Sequence, residues 1–139
     1  MAGTIITLGY SMEPNERPCP VLIVDDDDDL CHILETIIRT VCPVHIENNL
    51  RNAECYLEGS KPQIVLLDNN LPDGQGVKYI SQILALYPDI KVILMTSDPS
   101  SGLKEQAIHD GAVRFISKPF RVAIIKDLIL DFCPNLRAA

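Results

Sequence analysis

Val21-Leu22-Ile23-Val24-Asp25-Asp26-Asp27-Asp28-Asp29-Leu30 is the stretch that decides the fold. Four aliphatic residues with no polar alternation read as a strand covered on both faces. A run of five carboxylates then ends it. Beyond the run, apolar residues fall at Leu30, Ile33, Leu34, Ile37, Ile38 and Val41. That spacing is one stripe of an amphipathic helix, and Pro43 stops it. Asp27, Asp28 and Asp29 suit the start of this helix, where carboxylates meet free N–H groups and the positive end of the dipole. Asp25 and Asp26 are left at the carboxyl end of the strand.

The same unit recurs along the chain. Val44-His45-Ile46 is a short strand, followed by a helix over Asn52 to Leu57 that Gly59 closes. Ile64-Val65-Leu66-Leu67 ends in Asp68, and Leu71 to Gly76 is dense turn chemistry. Val77, Ile80, Ile83 and Leu84 give the next helical stripe, ended by Pro88. Val92-Ile93-Leu94-Met95 runs into Thr96-Ser97, and Asp98 to Gly102 is a loop. Leu103 to His109 forms a short helix closed by Gly111. Val113 to Ser117 is a fifth strand that runs into Lys118-Pro119, and Val122, Ile125, Leu128, Ile129 and Phe132 mark a last helix. Five strands, each followed by a helix, with aliphatic runs that do not alternate, imply an α/β fold with a doubly wound parallel sheet, helices on both faces and right-handed crossovers. Residues 1–20, with Pro14, Pro18 and Pro20, read as a leader or linker. The domain is expected over 21–132 and a tail over 133–139.

Composition narrows the function classes. A chain of 139 residues is one domain. Its 12 basic and 19 acidic side chains give a formal charge of −7, which argues against a nucleic-acid-binding surface. No apolar run is long enough for a membrane helix, and the start has no basic n-region. The five cysteines are odd in number and contain no C-x-x-C pair, so neither a disulfide framework nor a zinc site is expected. The cysteines are expected to be small core residues in a reducing cytoplasm. His32, His45 and His109 have no partner at metal-ligand spacing.

In an open parallel sheet, ligands bind beyond the carboxyl ends of the strands. Those ends carry Asp25 and Asp26, Asp68, Thr96 and Ser97, and Lys118. Clustered carboxylates repel unless a cation intervenes, and an all-oxygen set suits a hard ion such as Mg²⁺. An ammonium in the same crevice can pair with a carboxylate or a phosphoryl oxygen.

Four motifs in this order, Val21-Leu22-Ile23-Val24-Asp25-Asp26, Asp68-x-x-Leu71-Pro72-x-Gly74-x-Gly76, Met95-Thr96-Ser97 and Phe115-x-x-Lys118-Pro119-Phe120, resemble the receiver domain of two-component response regulators. The resemblance covers roughly Val21 to Phe132. It implies a flavodoxin-like sheet of strand order 2-1-3-4-5. It implies that Asp68 accepts a phosphoryl group from the phosphohistidine of a sensor histidine kinase or a phosphotransfer protein. It further implies Asp25, Asp26, Asp68 and the backbone carbonyl of Asn70 as ligands of Mg²⁺, which Mn²⁺ could replace. Lys118 and Thr96 would contact the phosphoryl group. Thr96 and Phe115 would act as the switch, with a downstream effector or a second copy docking on the 103–132 face. Gln75 stands where the motif often has Asp, Asn or Ser, and Phe115 lacks the hydroxyl of the tyrosine variant. The domain is then a signalling switch and not an enzyme, whether it stands alone or is cut from a longer regulator.

Two other readings stay open on the residues. Asp25-x-Asp27 after the first strand fits an aspartyl-nucleophile phosphatase or phosphotransferase of the haloacid-dehalogenase type, although no cap domain is present to enclose a substrate. The chain would otherwise be a receiver-like module that binds partners without being phosphorylated.

Overall fold

The computed structural model describes residues 18–98, 100 and 102–137. Five strands, β1 Val21–Val24, β2 Val44–Glu47, β3 Ile64–Asp68, β4 Lys91–Thr96 and β5 Arg114–Ser117, form one sheet in the order β2-β1-β3-β4-β5. All four pairings are parallel. The doubly wound 2-1-3-4-5 sheet expected from the sequence is therefore the one that forms. The helices are α1 Asp28–Ile38, α2 Leu50–Gly59, α3 Ile80–Leu86, α4 Leu103–His109 and α5 Val122–Phe132.

Successive strand residues face opposite layers, because the side-chain period of a strand is two. Val21 and Ile23 of β1, with Ile64 and Leu66 of β3, pack on Leu34 and Ile38 of α1 and on Ile125 and Ile129 of α5. Leu22 and Val24, with Val65 and Leu67, pack on Leu57 of α2, Ile80 and Ile83 of α3 and Ala107 of α4. Every residue of β1 and β3 is buried. The uninterrupted aliphatic runs record this two-sided covering.

Local chemistry sets the element ends. Asp27 caps α1 by accepting the Leu30 N–H at 3.1 Å, and Asp28 and Asp29 fill the first turn. Asn49 caps α2 by accepting the Asn52 N–H, so that helix starts at Leu50, two residues before the expected Asn52. The stripe read as reaching Val41 ends as a helix at Ile38; Val41 and Cys42 still donate backbone hydrogen bonds to Ile38. The stripe beginning at Val77 opens as a 3-10 turn over Gly76–Tyr79 before α3. The turn-rich segment after Asp68 makes a small hairpin in which Asn70 pairs with Gln75 and Leu71 with Gly74.

Packing continues on either side of residues 21–132. The leader as far as residue 17 lies outside the described residues, but Cys19 is 1% exposed and packs in the α1–α5 layer. Cys133 is also buried, Pro134–Arg137 is a further 3-10 turn, and Leu136 packs on the same layer. Cys19 and Cys133 form a disulfide, with Cα atoms 6.4 Å apart across a sequence separation of 114. This corrects, at one pair, the expectation that the cysteines form no disulfide framework. The chain enters β1 beside the place where it leaves α5, a neighbourhood that no local spacing reveals. Cys31 and Cys42 are buried and free, as expected, whereas Cys55 is exposed on α2. Among the described residues no helix is long and apolar enough to cross a membrane.

Candidate functional site

The parallel register brings the strand ends level. Val24 is level with Leu67, and Asp68 with Met95, so the residue after β1 and the last residue of β3 meet over the same edge. Asp25 is fully buried. Its N–H donates to Glu47 O, its Oδ1 accepts the Asp27 N–H at 3.0 Å, and its Oδ2 accepts Lys118 Nζ at 2.7 Å. Lys118 Nζ also lies 3.0 Å from Asp68 Oδ1. One ammonium thus bridges two carboxylates carried by different strands. Asp26 is exposed, and carboxylate oxygens of Asp25, Asp26 and Asp68 all lie within 4.8 Å of one another.

Lys118 reaches this position because its backbone N–H donates to Thr96 O at 2.7 Å, extending the β4–β5 pairing by one residue. The peptide bond from Lys118 to Pro119 is cis. Burial would lower the Lys118 pKa, but hydrogen bonds to Asp25 and Asp68 and the charges of both outweigh it and hold the ammonium above its ordinary value. Burial raises the pKa of Asp68, and the Asp25 and Asp26 charges add to the rise. The Lys118 hydrogen bond offsets part of it, and the net direction is up.

Three carboxylates against one ammonium leave two formal negative charges in the cluster. All the donors are oxygen. That set fits a hard divalent cation.

The other expected residues stand on neighbouring elements. Thr96 is buried at the end of β4, and its Oγ1 accepts the Asp98 N–H at 3.1 Å. Phe115 is half-buried on β5, level with Leu94, and packs against the layer that holds α2, α3 and α4. Asn70 is exposed at the start of the hairpin. Asp27 Oδ1 accepts the α1 cap bond, and the carboxylate that joins Asp25 and Asp68 in the cluster is that of Asp26.

A residue that holds the loop after β3 was not singled out from the sequence. Asn69 is 5% exposed; its N–H donates to Met95 O, its Oδ1 accepts the Val77 N–H at 3.0 Å, and its carbonyl accepts the Gly76 N–H. At Gly76, a Cβ would stand 2.3 Å from the backbone oxygen of Asp68. The turn can therefore fold this tightly under Asp68 only with glycine there. The glycine was visible in the sequence as turn chemistry. The partner of Asn69 lies eight residues on, where no local pattern points to it.

A family model described as the response regulator receiver domain matches residues 21–130. The chain is 35% identical over 104 residues to the chemotaxis protein CheY of Listeria monocytogenes, covering 73% of this chain and 87% of that protein. It is 31% identical over 124 residues to the two-component response regulator ARR2 of Arabidopsis thaliana, covering 86% of this chain but only 18% of that relative's length. Among solved structures it is similar to a Burkholderia pseudomallei response regulator with a phosphorylated aspartic acid, calcium ion and citrate, at a TM-score of 0.73 and 23% identity over 86% of this chain and 71% of that one. The order of the strands, the carboxylates and lysine at their carboxyl ends and the family match over 21–130 agree, and the chain belongs to the response regulator receiver domain family.

Proposed function

We propose that this domain is the phospho-acceptor of a two-component phosphorelay, with Asp68 as the residue modified. The observation that carries the reading is the bridge from Lys118 to both Asp25 and Asp68 beside the exposed carboxylate of Asp26. A carboxylate oxygen of Asp68 attacks the phosphorus of a phosphohistidine. The O–P bond forms, the N–P bond breaks, and the imidazole of the donor leaves with the electron pair. Lys118 is placed to offset charge on the transferring phosphoryl oxygens. Asp25, Asp26, Asp68 and the carbonyl of Asn70 would hold Mg²⁺ or Mn²⁺, which supplies further charge stabilisation when bound. The calcium ion and phosphorylated aspartate of the Burkholderia regulator support this reading of the cluster.

Thr96 and Phe115 carry the signal outward in this proposal. The Thr96 hydroxyl, now held by Asp98, turns to the phosphoryl oxygens, and Phe115 fills the vacated space because packed interiors tolerate few voids. The face built from α4, β5 and α5 then docks a downstream effector or a second copy. The partner that delivers the phosphoryl group is a sensor histidine kinase or a phosphotransfer protein. A partner of that kind implies the cytoplasm; among the described residues the Cys19–Cys133 bond stands against a reducing compartment.

The test is incubation with acetyl phosphate and Mg²⁺, read by intact mass. One phosphoryl group per chain is expected, with none in Asp68→Asn and none in EDTA. Incorporation that persists in Asp68→Asn overturns the assignment, and a wild-type protein that takes up none supports the unphosphorylated binding module instead.

A further inference from the structure

The carboxylate cluster sits where β1 and β3 end, each strand running into its own loop. A third loop, the β2–α2 turn, touches both. On one side, Asn48 Nδ2 donates to the Asp25 carbonyl at 2.9 Å and lies 3.4 Å from Asp28 Oδ1. The same Asp25 carbonyl also receives the Cys31 thiol at 3.3 Å. On the other side, the Asp73 carboxylate accepts the N–H groups of Leu50 and Arg51, each at 2.9 Å. Those two N–H groups belong to the first turn of α2, where the Asn49 cap serves Asn52 and leaves them without helical partners. Asp73 sits in the hairpin turn that begins at Asn70.

Each contact has a local role, but together they make a continuous strut. It runs from the Asp25 backbone through Asn48, Asn49 and Leu50 to Asp73, and so to the hairpin that carries Asn70. We infer that Asn48 and Asp73 are positioning residues, which brace the two loops of the cluster through the β2–α2 turn and set their spacing for a divalent cation. The inference rests on the reading that Asp25, Asp26, Asp68 and the Asn70 carbonyl hold such a cation. A small divalent ion such as Mg²⁺ tolerates little variation in ligand position. Groups that orient ligands from behind therefore act on affinity without touching the ion. Asn48 and Asp73 are both exposed, so neither is needed to fill the core.

The experiment measures the Mg²⁺ dissociation constant by titration of amide resonances, and the melting temperature in EDTA. It compares the wild-type chain with Asn48→Ala, Asp73→Ala and the double variant, and uses Asn52→Ala as a control. Each single variant is expected to weaken Mg²⁺ about fivefold, below the tenfold or more seen for direct second-layer partners. The melting temperature in EDTA should move only a few degrees. Because the two side chains act on one strut, the double variant should lose no more than the worse single variant. Should Asp73→Ala unwind α2, Asp73→Asn keeps one acceptor oxygen, and the Asn48→Ala arm decides by itself. Single variants within twofold of wild type, losses that multiply in the double variant, or an equal loss in Asn52→Ala would each overturn the strut. A wild-type chain that shows no Mg²⁺ titration would overturn the metal reading and the strut with it.

Discussion

At the carboxyl edge of the sheet, three carboxylates and an ammonium from β1, β3 and the end of β5 converge on one small crevice. At the amino edge, the same strands start from an open groove of about 700 Å³ lined by Pro18, Pro20, Pro62, Tyr87 and Pro88, with Lys61 and Asp89 as its charged residues. The disulfide between Cys19 and Cys133 joins the start of the packed chain to its end, just before β1 and just after α5. The groove carries one charge of each sign and no carboxylate cluster, whereas the crevice concentrates charge that burial makes costly and that only a cation can balance. In this reading the amino edge holds the chain together and the carboxyl edge spends stability on reactivity. That division can be broken by experiment.

The largest effect is expected at the amino edge. A cross-link spanning 114 residues restrains the unfolded chain by about 5 kcal/mol in the loop-entropy account. Cys133→Ser, or reduction of the wild type, should lower the melting temperature by on the order of 10 °C. The rate of phosphorylation by acetyl phosphate at 20 °C should stay within about twofold, a band set by treating distant sites as independent. Differential scanning calorimetry and timed mass spectra report the two quantities. A large change in rate with the fold intact would show that the two edges are coupled.

The next effect belongs to the carboxyl edge. Removing the ammonium in Lys118→Ala leaves Asp25, which is fully buried, and Asp68 facing each other without their shared cation. Breaking a buried pair from one side costs about 3 kcal/mol. The variant should therefore melt well below wild type in EDTA. Added Mg²⁺ should recover more of its melting temperature than it adds to the wild type, since the cluster then carries a third unmatched charge and the ion stabilises by mass action. An equal Mg²⁺ increment in both proteins would argue that Lys118 and the cation do not share the same carboxylates.

The two edges also differ in how far they could be read from the sequence. The carboxyl edge was legible because parallel strands end in register: Asp25, Asp68 and Thr96 each follow an aliphatic run, Lys118 follows the last strand, and the fold rule that places ligands at those ends does the rest. The sheet order came from the resemblance that the motifs carry, not from periodicity. What stayed hidden depends on long-range partners. Asn48 and Asp25 are 23 residues apart, as are Asp73 and Leu50, and Cys19 and Cys133 are 114 apart. The 3-10 opening before α3 was hidden for a different reason: Val77, Ile80, Ile83 and Leu84 keep a helical period whether the first turn is tight or wide.

The smallest expected effect lies between the edges, at the exposed Asp73. Hydrogen bonding from the Leu50 N–H, opposed by slight burial and assisted by the Arg51 N–H, holds its carboxyl below the ordinary 3.8. A group whose pKa is depressed on folding stabilises the fold above its unfolded pKa and loses that contribution as pH falls through the folded one. The wild type should therefore exceed Asp73→Asn in stability at pH 6, by less than about 1 kcal/mol, the range of a helix cap in solvent. The difference should shrink as the pH is taken from 4 towards 2, because the protonated acid and the amide then offer the same single acceptor. Urea melts at pH 6, 4 and 3 measure it, in EDTA so that no cation contributes. The crevice residues are the same in both proteins and cancel in the comparison. A gap between wild type and Asp73→Asn that widens towards low pH would mean that the Asp73 carboxylate does not cap α2, and the strut would lose its hairpin end.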